Sequence, residues 1–362
     1  MKTIGLSIYP EHAATEDIIA YIDKAHALGF SRIFTCMISF TGGKEALEAS
    51  FGTWMRHASA LGFEIIADVS PEVFSGLGMT LGDLSPFAEL GLSGIRLDMG
   101  FSGHEEALMS YDASGIRIEL NMSNGTKYID NILSYQPNKE RLMGCHNFYP
   151  HRYTGLSRAH FMKTSEQFKS LGLRTAAFVN APSAAYGPWE VTEGLCSLEM
   201  HRMLPIETQA KDLFNTGLID DVIIANMFAS DDELKALSEV DRHVLTLQIE
   251  QQVDLTTEEM LILTKEPHFN RGDVSEYVVR STQSRVKYKG TPFEPKNTRD
   301  MEEGDIIIES SLYTRYAGEL HIALNAMENS GKSSVVAKVV PHERYLIHEI
   351  KPWQTFAFRL KK

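Results

Sequence analysis

Eight short runs of aliphatic and β-branched residues, each followed by polar side chains, recur through the first two-thirds of this 362-residue chain. In chain order they read IGLSIYPEH, RIFTCMISF, EIIADVSPE, GIRLDMG, IRIELNMSN, LMGCHNFYP, RTAAFVNAP and DVIIANM. Segments with apolar residues at helical spacing lie between or after them, at about residues 15–29, 43–61, 157–171, 206–216 and 231–245. Eight strand–helix repeats are the number that closes a (β/α)8 barrel, so the pattern predicts an α/β fold of the TIM-barrel type.

The pattern changes near residue 250, and the chain is longer than one such barrel usually needs. From residue 305 onward the strand-like runs DIIIESSLY, GELHIALNAM, SSVVAKVVP and QTFAFRLKK follow one another, separated by Gly, Pro, Asn and Ser. Such a succession is typical of a small β domain. We therefore expect residues 1–248 to form the barrel and residues 249–362 to form a mainly-β domain, itself a small barrel.

The acidic composition limits the partners of the chain. Its 35 basic and 48 acidic residues give a net charge of −13, which argues against nucleic acid or an anionic membrane surface as the main partner. No apolar stretch approaches the roughly 20 residues that span a bilayer. The N-terminus enters a strand without a secretion signal, so we expect no membrane partner and a cytoplasmic location. Three scattered cysteines have no metal-type spacing, and we expect neither a metal nor a cofactor. The oligomeric state is left open.

Two successive strands carry charges on the face that points into the barrel. In IRIELN, Arg117, Glu119 and Asn121 alternate with apolar residues, and in GIRLDM, Arg96 and Asp98 do the same. Charges inside a barrel are costly unless they are paired. They therefore form either an ion network without a chemical task or a pair of carboxylates for acid/base work on a glycosidic bond.

The other strand ends add polar groups at the same rim. Most are uncharged or aromatic and suit sugar hydroxyls and an acetamido group, although each alone is equally typical of a helix cap or a turn. The candidates for substrate binding are Tyr9, Glu11, Asn121, His146, Asn147, Tyr149 and Asn180, and Asp68 and Ser70 end the third strand. Their accumulation at one rim indicates an active site.

A long loop follows the seventh strand, from residue 180 to about residue 203, and loops of this length are usually functional. It contains Glu193, His201 and Arg202, of which Arg202 is a candidate anion ligand; a solvated surface pair is the alternative for His201 and Arg202. In the second domain, the run HFNRGDVSEYVVRS brings Arg271 and Arg280, either as phosphate ligands or as part of a salt-bridge network at a domain interface.

Several of these segments together resemble one enzyme family. The combination of IGLSIYPEH, GIRLDMGFS, IELNMSN, GCHNFYPHRYTGL, VTEGLCSLEMHR and HFNRGDVSEYVVRS resembles the bacterial 6-phospho-N-acetylmuramidases over essentially the full length. The resemblance implies a (β/α)8 barrel followed by a cyclophilin-like β barrel. It also implies a cytoplasmic glycoside hydrolase of cell-wall recycling, acting on N-acetylmuramic acid 6-phosphate β-1,4-linked to N-acetylglucosamine.

For such a reaction we expect Glu119 to be the general acid and Asp98 its partner. If the 2-acetamido group of the substrate is the nucleophile, Asp98 orients that group instead. The alternatives are a sugar-phosphate epimerase or another phosphosugar-processing barrel enzyme, which would want a metal cluster, and a sugar-binding protein without turnover. No lysine ends any of the eight strands, which disfavours an aldolase.

Overall fold

Eight parallel strands close on themselves to form the barrel of the first unit. The computed structural model describes residues 2–38, 40, 42–70, 73–74, 80–98 and 100–361. The barrel strands are β1 Thr3–Ile8, β2 Arg32–Cys36, β3 Glu64–Val69, β4 Gly94–Leu97, β5 Arg117–Asn121, β6 Leu142–Cys145, β7 Arg174–Val179 and β8 Asp221–Ile224. Each strand pairs with the next, and β8 pairs with β1. Each coincides with one of the predicted runs, β1 starting one residue earlier than expected, which confirms the TIM barrel.

Helices of the first unit follow the strands. They are α1 Thr15–Ala27, α2 Lys44–Leu47, α3 Thr53–Ala60, α4 Ser85–Glu89, α5 His104–Met109, α6 Tyr128–Ser134, α7 Arg158–Ser170, α8 Ile206–Asn215 and α9 Asp231–Ser238. A π-helical turn, Glu48–Gly52, joins α2 to α3, and short 3-10 turns lie at Pro10–His12, Lys139–Arg141 and Glu199–His201. The start of α9 has a capping box, in which Ser230 and Glu233 satisfy each other's backbone N–H groups.

The last predicted helix ends earlier than the sequence suggested. We expected it over residues 231–245, but α9 stops at Ser238 and a strand, β9 Leu245–Gln251, begins seven residues later. Burial alternates along β9, with Leu245, Leu247 and Ile249 in a core and polar residues between them. This period of two is a strand signal that competes with the helical spacing before it.

The second unit is a seven-stranded sheet that nearly closes into a barrel. After β9 come β10 His268–Phe269, β11 Val278–Ser281, β12 Asp305–Glu309, β13 Leu320–Ala323, β14 Ser333–Val339 and β15 Thr355–Leu360, with helices α10 Thr257–Thr264 and α11 Gln283–Lys287 and 3-10 turns at Ser311–Tyr316 and Pro341–Glu349. The strand order is β10-β15-β9-β14-β12-β13-β11. The two end strands meet, since His268 Nδ1 lies 2.9 Å from Ser281 Oγ and the Arg271 N–H donates to the Arg280 carbonyl. The expectation of a second, mainly-β barrel is confirmed.

Each unit has its own hydrophobic core. The division falls between residues 240 and 241, so β9 belongs wholly to the second unit, whereas the boundary expected at 248/249 lies inside that strand. Among the residues described, no helix has the length and apolar composition that crossing a bilayer requires.

Candidate active site

A buried ion network fills the middle of the barrel. Arg32 of β2 is fully buried and pairs with Glu119 of β5 and Asp221 of β8. Gly5 of β1 lets the Arg32 backbone approach closely, because a Cβ at residue 5 would lie 2.7 Å from the Arg32 carbonyl oxygen. Arg174 of β7 adds a further bond, in which Nη2 donates to Asp221 Oδ1 at 2.9 Å. The ion-network interpretation therefore describes this layer of the barrel.

Glu119 belongs to that layer and not to the rim. In the register between β4 and β5, Arg96 is the neighbour of Glu119, and Asn121 is the residue that reaches Asp98, donating to its Oδ1 at 3.1 Å. Glu119 is 0% exposed and bound to Arg32. The expectation that Glu119 and Asp98 face one substrate does not hold, because the stagger between the strands sets them one layer apart.

Asp98 does meet a different carboxylate, that of Asp68, at the rim, in what we call the catalytic pocket. It is lined by Asp68, Arg96, Asp98, Asn147, Phe148, Phe178 and Trp189. One nitrogen of Arg96, Nη1, lies 2.7 Å from Asp68 Oδ2 and 3.3 Å from Asp98 Oδ1. Oxygens bound to one nitrogen in this way are at most about 6 Å apart, the short separation at which a glycosidase carboxylate attacks the sugar directly.

The two carboxyl groups have different environments. Burial raises the pKa of Asp68 to about 7, and Arg96 offsets this only in part, because the negative charges of Asp98 and Glu119 raise the pKa further. Asp68 Oδ1 is buried and has no hydrogen-bond partner among the described residues, so its hydrogen-bonding capacity is unused. The Asp98 side chain is 36% exposed. A carboxyl that keeps its proton near neutral pH beside a more exposed carboxylate is the pairing that general acid catalysis needs.

Aromatic rings form the opposite wall of the catalytic pocket. Phe148 stands edge-on to Phe178 with ring centroids 5.0 Å apart, and Phe34 supports both from below, at 6.0 and 5.1 Å. Trp189, from the loop after β7, lies 5.8 Å from Phe148 and remains 45% exposed. Phe34, Phe148 and Phe178 are buried, so the exposed face of Trp189 is the aromatic surface here that can pack against the apolar face of a pyranose ring.

Asn121 and Asn147 both lie next to the charged groups of this site. Asn121 binds Asp98, and Asn147 lines the catalytic pocket, where its Oδ1 accepts a hydrogen bond from Arg96 Nη2. Both side chains are only half-buried. They therefore hold the charged groups in place and have room to contact a ligand.

Tyr9 and His146 were expected at the rim but are core residues. The hydroxyl of fully buried Tyr9 donates to the Ala225 carbonyl at 2.6 Å. His146 is buried between the hydroxyls of Ser123 and Ser165, 3.2 and 2.8 Å from its ring nitrogens. Burial lowers the pKa of His146 to about 3, so this imidazole stays neutral and takes no part in proton transfer at ordinary pH.

The candidate anion ligand Arg202 fixes the loops beside the pocket instead. It forms two bonds to Glu199, at 2.8 and 2.6 Å, and Nη1 donates to the carbonyls of Tyr149 and Gly194 at 2.8 and 2.6 Å. Glu199 in turn accepts from the N–H groups of Tyr153 and Gly155 at 2.9 and 2.8 Å. We call this set the loop clamp. Its polar atoms are occupied, so Arg202 is not available to bind a phosphate.

The remaining polar residues of the long loop are also occupied or lie outside the catalytic pocket. Asn180 is buried and accepts from the Leu195 N–H at 2.9 Å, and His201 is fully buried with Nε2 2.8 Å from Asp212 Oδ2. Glu193 is exposed and accepts from the Arg152 N–H at 3.1 Å. Tyr149 contributes its backbone to the loop clamp. The surface-pair alternative for His201 and Arg202 is wrong as well, because both are buried.

The two arginines of the second unit are paired with carboxylates of their own unit. Arg271 binds Asp273 with two bonds of 2.6 and 2.7 Å, and Arg280 binds the buried Glu319 at 3.0 and 3.2 Å. Arg285 shares Glu319, at 2.8 Å. Within the second unit these contacts match a salt-bridge network better than an open phosphate site.

Models of one family match nearly the whole chain. The N-terminal model of the 6-phospho-N-acetylmuramidases covers residues 4–239, and the C-terminal model covers residues 245–359. The chain belongs to the 6-phospho-N-acetylmuramidase family. As a member of that family it is a glycoside hydrolase, and the family implies a phosphorylated muramyl sugar as its substrate.

Solved structures agree with this membership. An uncharacterized B. cereus protein has 43% sequence identity and a TM-score of 0.92, with 99% of each chain covered. A conserved protein of unknown function from Enterococcus faecalis has 25% identity and a TM-score of 0.73, covering 99% of this chain and 96% of its own. No curated protein matches the sequence.

The family models do not identify the catalytic residues of this chain. The sequence analysis named Asp68 at the end of the third strand but did not pair it with Asp98. The signal for Asp68 was present, because Glu64, Ile66 and Asp68 alternate along β3 and Asp68 stands near the carboxyl end. The sequence does not show how far Asp68 and Asp98 lie from each other along the barrel axis. The sequence did not single out Trp189 from the other polar and aromatic residues of the long loop, because a loop has no periodicity from which a side chain's position can be predicted.

Proposed function

We propose that this glycosidase hydrolyses the β-1,4 bond between N-acetylmuramic acid 6-phosphate and N-acetylglucosamine in the cytoplasm, during recycling of the cell wall. The observation that carries the proposal is the pairing of Asp68, whose pKa is raised to about 7, with the half-exposed Asp98 on a single Arg96 nitrogen. Family membership supplies the substrate class.

In the proposed reaction Asp68 takes the acid role that the sequence suggested for Glu119. Its proton passes to the glycosidic oxygen as the bond to the anomeric carbon breaks, and N-acetylglucosamine leaves. Asp98 either attacks the anomeric carbon or orients the 2-acetamido group that does so. A water molecule, deprotonated by Asp68, then releases N-acetylmuramic acid 6-phosphate and restores the proton on Asp68.

Recognition of the muramyl ring would combine the two walls of the catalytic pocket. Trp189, which rests on the buried Phe148, offers aromatic surface to its apolar face, and Asn121 and Asn147 offer amide groups to its hydroxyl and acetamido groups. These groups are uncharged. The phosphate therefore needs a cation elsewhere on the same rim.

Arg152 is the cation that we propose for the phosphate. It follows β6 by a few residues, beyond Asn147 and Phe148, and its side chain is 55% exposed. The carboxylate nearest to it, that of Glu193, lies 3.9 Å from Nε, a looser contact than the pairs of Arg202, Arg271 and Arg280. The loop clamp holds the backbone on both sides of Arg152, so the guanidinium is presented from a fixed loop.

The proposed function is tested by incubating the protein with the N-acetylmuramic acid–N-acetylglucosamine disaccharide, with and without the 6-phosphate, and reading the products by mass spectrometry. We expect N-acetylmuramic acid 6-phosphate from the phosphorylated disaccharide and little or no cleavage of the other. Equal cleavage of both would contradict the phosphate requirement. No cleavage of either would contradict the proposed substrate.

A further inference from the structure

A second and larger pocket opens on the barrel rim beside the catalytic pocket. Its walls include Glu11, Cys36, Phe40, Ser50, Phe51 and Pro188, and its volume is about 390 Å³. We call it the β1–β2 pocket. Small-molecule sites in proteins usually measure about 300–1,000 Å³, so a sugar ring fits this space with room at the open side.

The two pockets share a wall. Cys36 of β2, in the β1–β2 pocket, is the register neighbour of Asp68 of β3, in the catalytic pocket, and the Met37 N–H donates to the Asp68 carbonyl at 2.8 Å. Pro188 and Trp189 are consecutive residues that line one pocket each. A ligand that crosses this wall passes beside the Asp68 carboxyl.

The π-helical turn shapes the far side of the β1–β2 pocket. Ser50 and Phe51 lie within the turn Glu48–Gly52, and Phe40 stands edge-on to Phe51 with ring centroids 5.8 Å apart. A π turn inserts one residue into a helix, and such insertions often occur at functional sites. Here the exposed Ser50 hydroxyl lies beside Phe51, which is buried and packs against the half-buried Phe40, a polar and apolar combination that suits a sugar.

The charge of the β1–β2 pocket selects against phosphate. Glu11 is 51% exposed at its edge, and neither Lys nor Arg is among the described residues that line it. The nearest basic contact of Glu11 is His12 Nε2, at 3.8 Å. A free carboxylate repels a phosphate but accepts hydrogen bonds from the hydroxyls of an uncharged sugar.

We infer that the β1–β2 pocket is the aglycone subsite, which holds the uncharged N-acetylglucosamine ring while the phosphorylated muramyl ring occupies the catalytic pocket. The inference rests on the proposed function. The glycosidic oxygen then lies over the shared wall, within reach of Asp68. Glu11 fixes the leaving sugar through its hydroxyls and discriminates against an anionic sugar in this position.

The test compares two substrates that differ only in the leaving group: the phosphorylated disaccharide and the β-fluoride of N-acetylmuramic acid 6-phosphate, whose fluoride needs no aglycone subsite. The variants are Glu11→Ala, which removes the carboxylate, and Ala49→Trp, which fills the pocket from an exposed position. Glu45→Gln, on the exposed side of α2 outside both pockets, is the matched control for loss of a charge.

We expect both pocket variants to lower kcat/KM for the disaccharide by about tenfold or more. Their kcat/KM for the fluoride should stay within about twofold of the wild-type value. Glu45→Gln should match the wild type on both substrates. Equal losses on the two substrates, or no loss on the disaccharide, would overturn the subsite while the proposed function stands. A wild-type protein that cleaves neither substrate would overturn the proposed function itself, and the subsite with it.

Discussion

At the scale of single residues, the proposed acid role of Asp68 depends on the burial of its carboxyl group. Its carboxyl is nearly buried, and Arg96, the cation beside it, is shared with Asp98 and Asn147. Burial raises the pKa of Asp68 to about 7, because the attraction of Arg96 lowers it only in part and the negative charges of Asp98 and Glu119 raise it further. The partial compensation is what makes it an acid at neutral pH.

The first prediction concerns the pH dependence of the reaction. Because the acid form of Asp68 is needed, kcat/KM for the phosphorylated disaccharide should fall as the pH rises through about 7, by about tenfold per pH unit above it. Rates from pH 5 to 9 test this. The β-fluoride serves as the control, since its leaving group needs no proton and its rate should lack this alkaline fall. The same fall with both substrates would assign it to another group.

A second prediction concerns Arg152. Arg152→Ala should lower kcat/KM for the phosphorylated disaccharide by about 10- to 100-fold, because one charged contact to the phosphate is lost, and should change cleavage of the unphosphorylated one little. Steady-state kinetics on both substrates give the ratio of kcat/KM with the 6-phosphate to kcat/KM without it. Lys163→Ala, which removes an exposed cation of α7, is the control. An unchanged preference for the 6-phosphate in Arg152→Ala would rule Arg152 out.

At the scale of strands and loops, the phase of each strand could be predicted and the register between strands could not. The alternation of polar and apolar residues in β4 and β5 correctly predicted that Arg96, Asp98 and Glu119 point into the barrel. One strand alone does not reveal how far it is shifted against its neighbour, and that shift moved Glu119 level with Arg96. The same limit applies to Tyr9 and His146, whose polar atoms are satisfied by contacts distant in sequence.

The loop clamp carries a third prediction. Arg202→Ala would leave Glu199 and two carbonyls without their donor, so the free energy of unfolding should fall by about 2–4 kcal/mol. The amides of Tyr153 and Gly155, which donate to Glu199, should exchange hydrogen faster. Hydrogen exchange read by mass spectrometry over residues 149–156 measures this. Arg271→Ala, which breaks an exposed pair in the second unit, is the control and should leave that exchange unchanged. Exchange in Arg202→Ala as slow as in the wild type would contradict the loop clamp.

At the scale of the whole chain, the sequence correctly predicted two domains because their strand patterns differ. β9, β10 and β11 escaped prediction, since β10 has only two residues and the polar run around Arg271 and Arg280 hides the alternation of β11. β9 matters most. It lies between β15 and β14, and its Leu245, Leu247 and Ile249 enter the core of the second unit.

The fourth prediction follows from that position. A fragment of residues 241–362 contains a whole core and should fold alone, with a cooperative thermal transition and a dispersed NMR spectrum. A fragment of residues 252–362 lacks β9, so β14 and β15 lose their shared partner and it should not fold. A non-cooperative transition in the longer fragment, or a cooperative one in the shorter, would contradict this division.

The most direct measurement compares Asp68→Asn with Glu119→Gln on the phosphorylated disaccharide, with thermal unfolding of both. Asp68→Asn should stay folded and lose about 100-fold or more in kcat, because the proton donor is gone. Glu119→Gln should keep kcat within about tenfold of the wild type but unfold at a lower temperature, because Arg32 loses a buried partner. A folded Glu119→Gln variant without activity, beside an active Asp68→Asn variant, would contradict the assignment of the acid to Asp68.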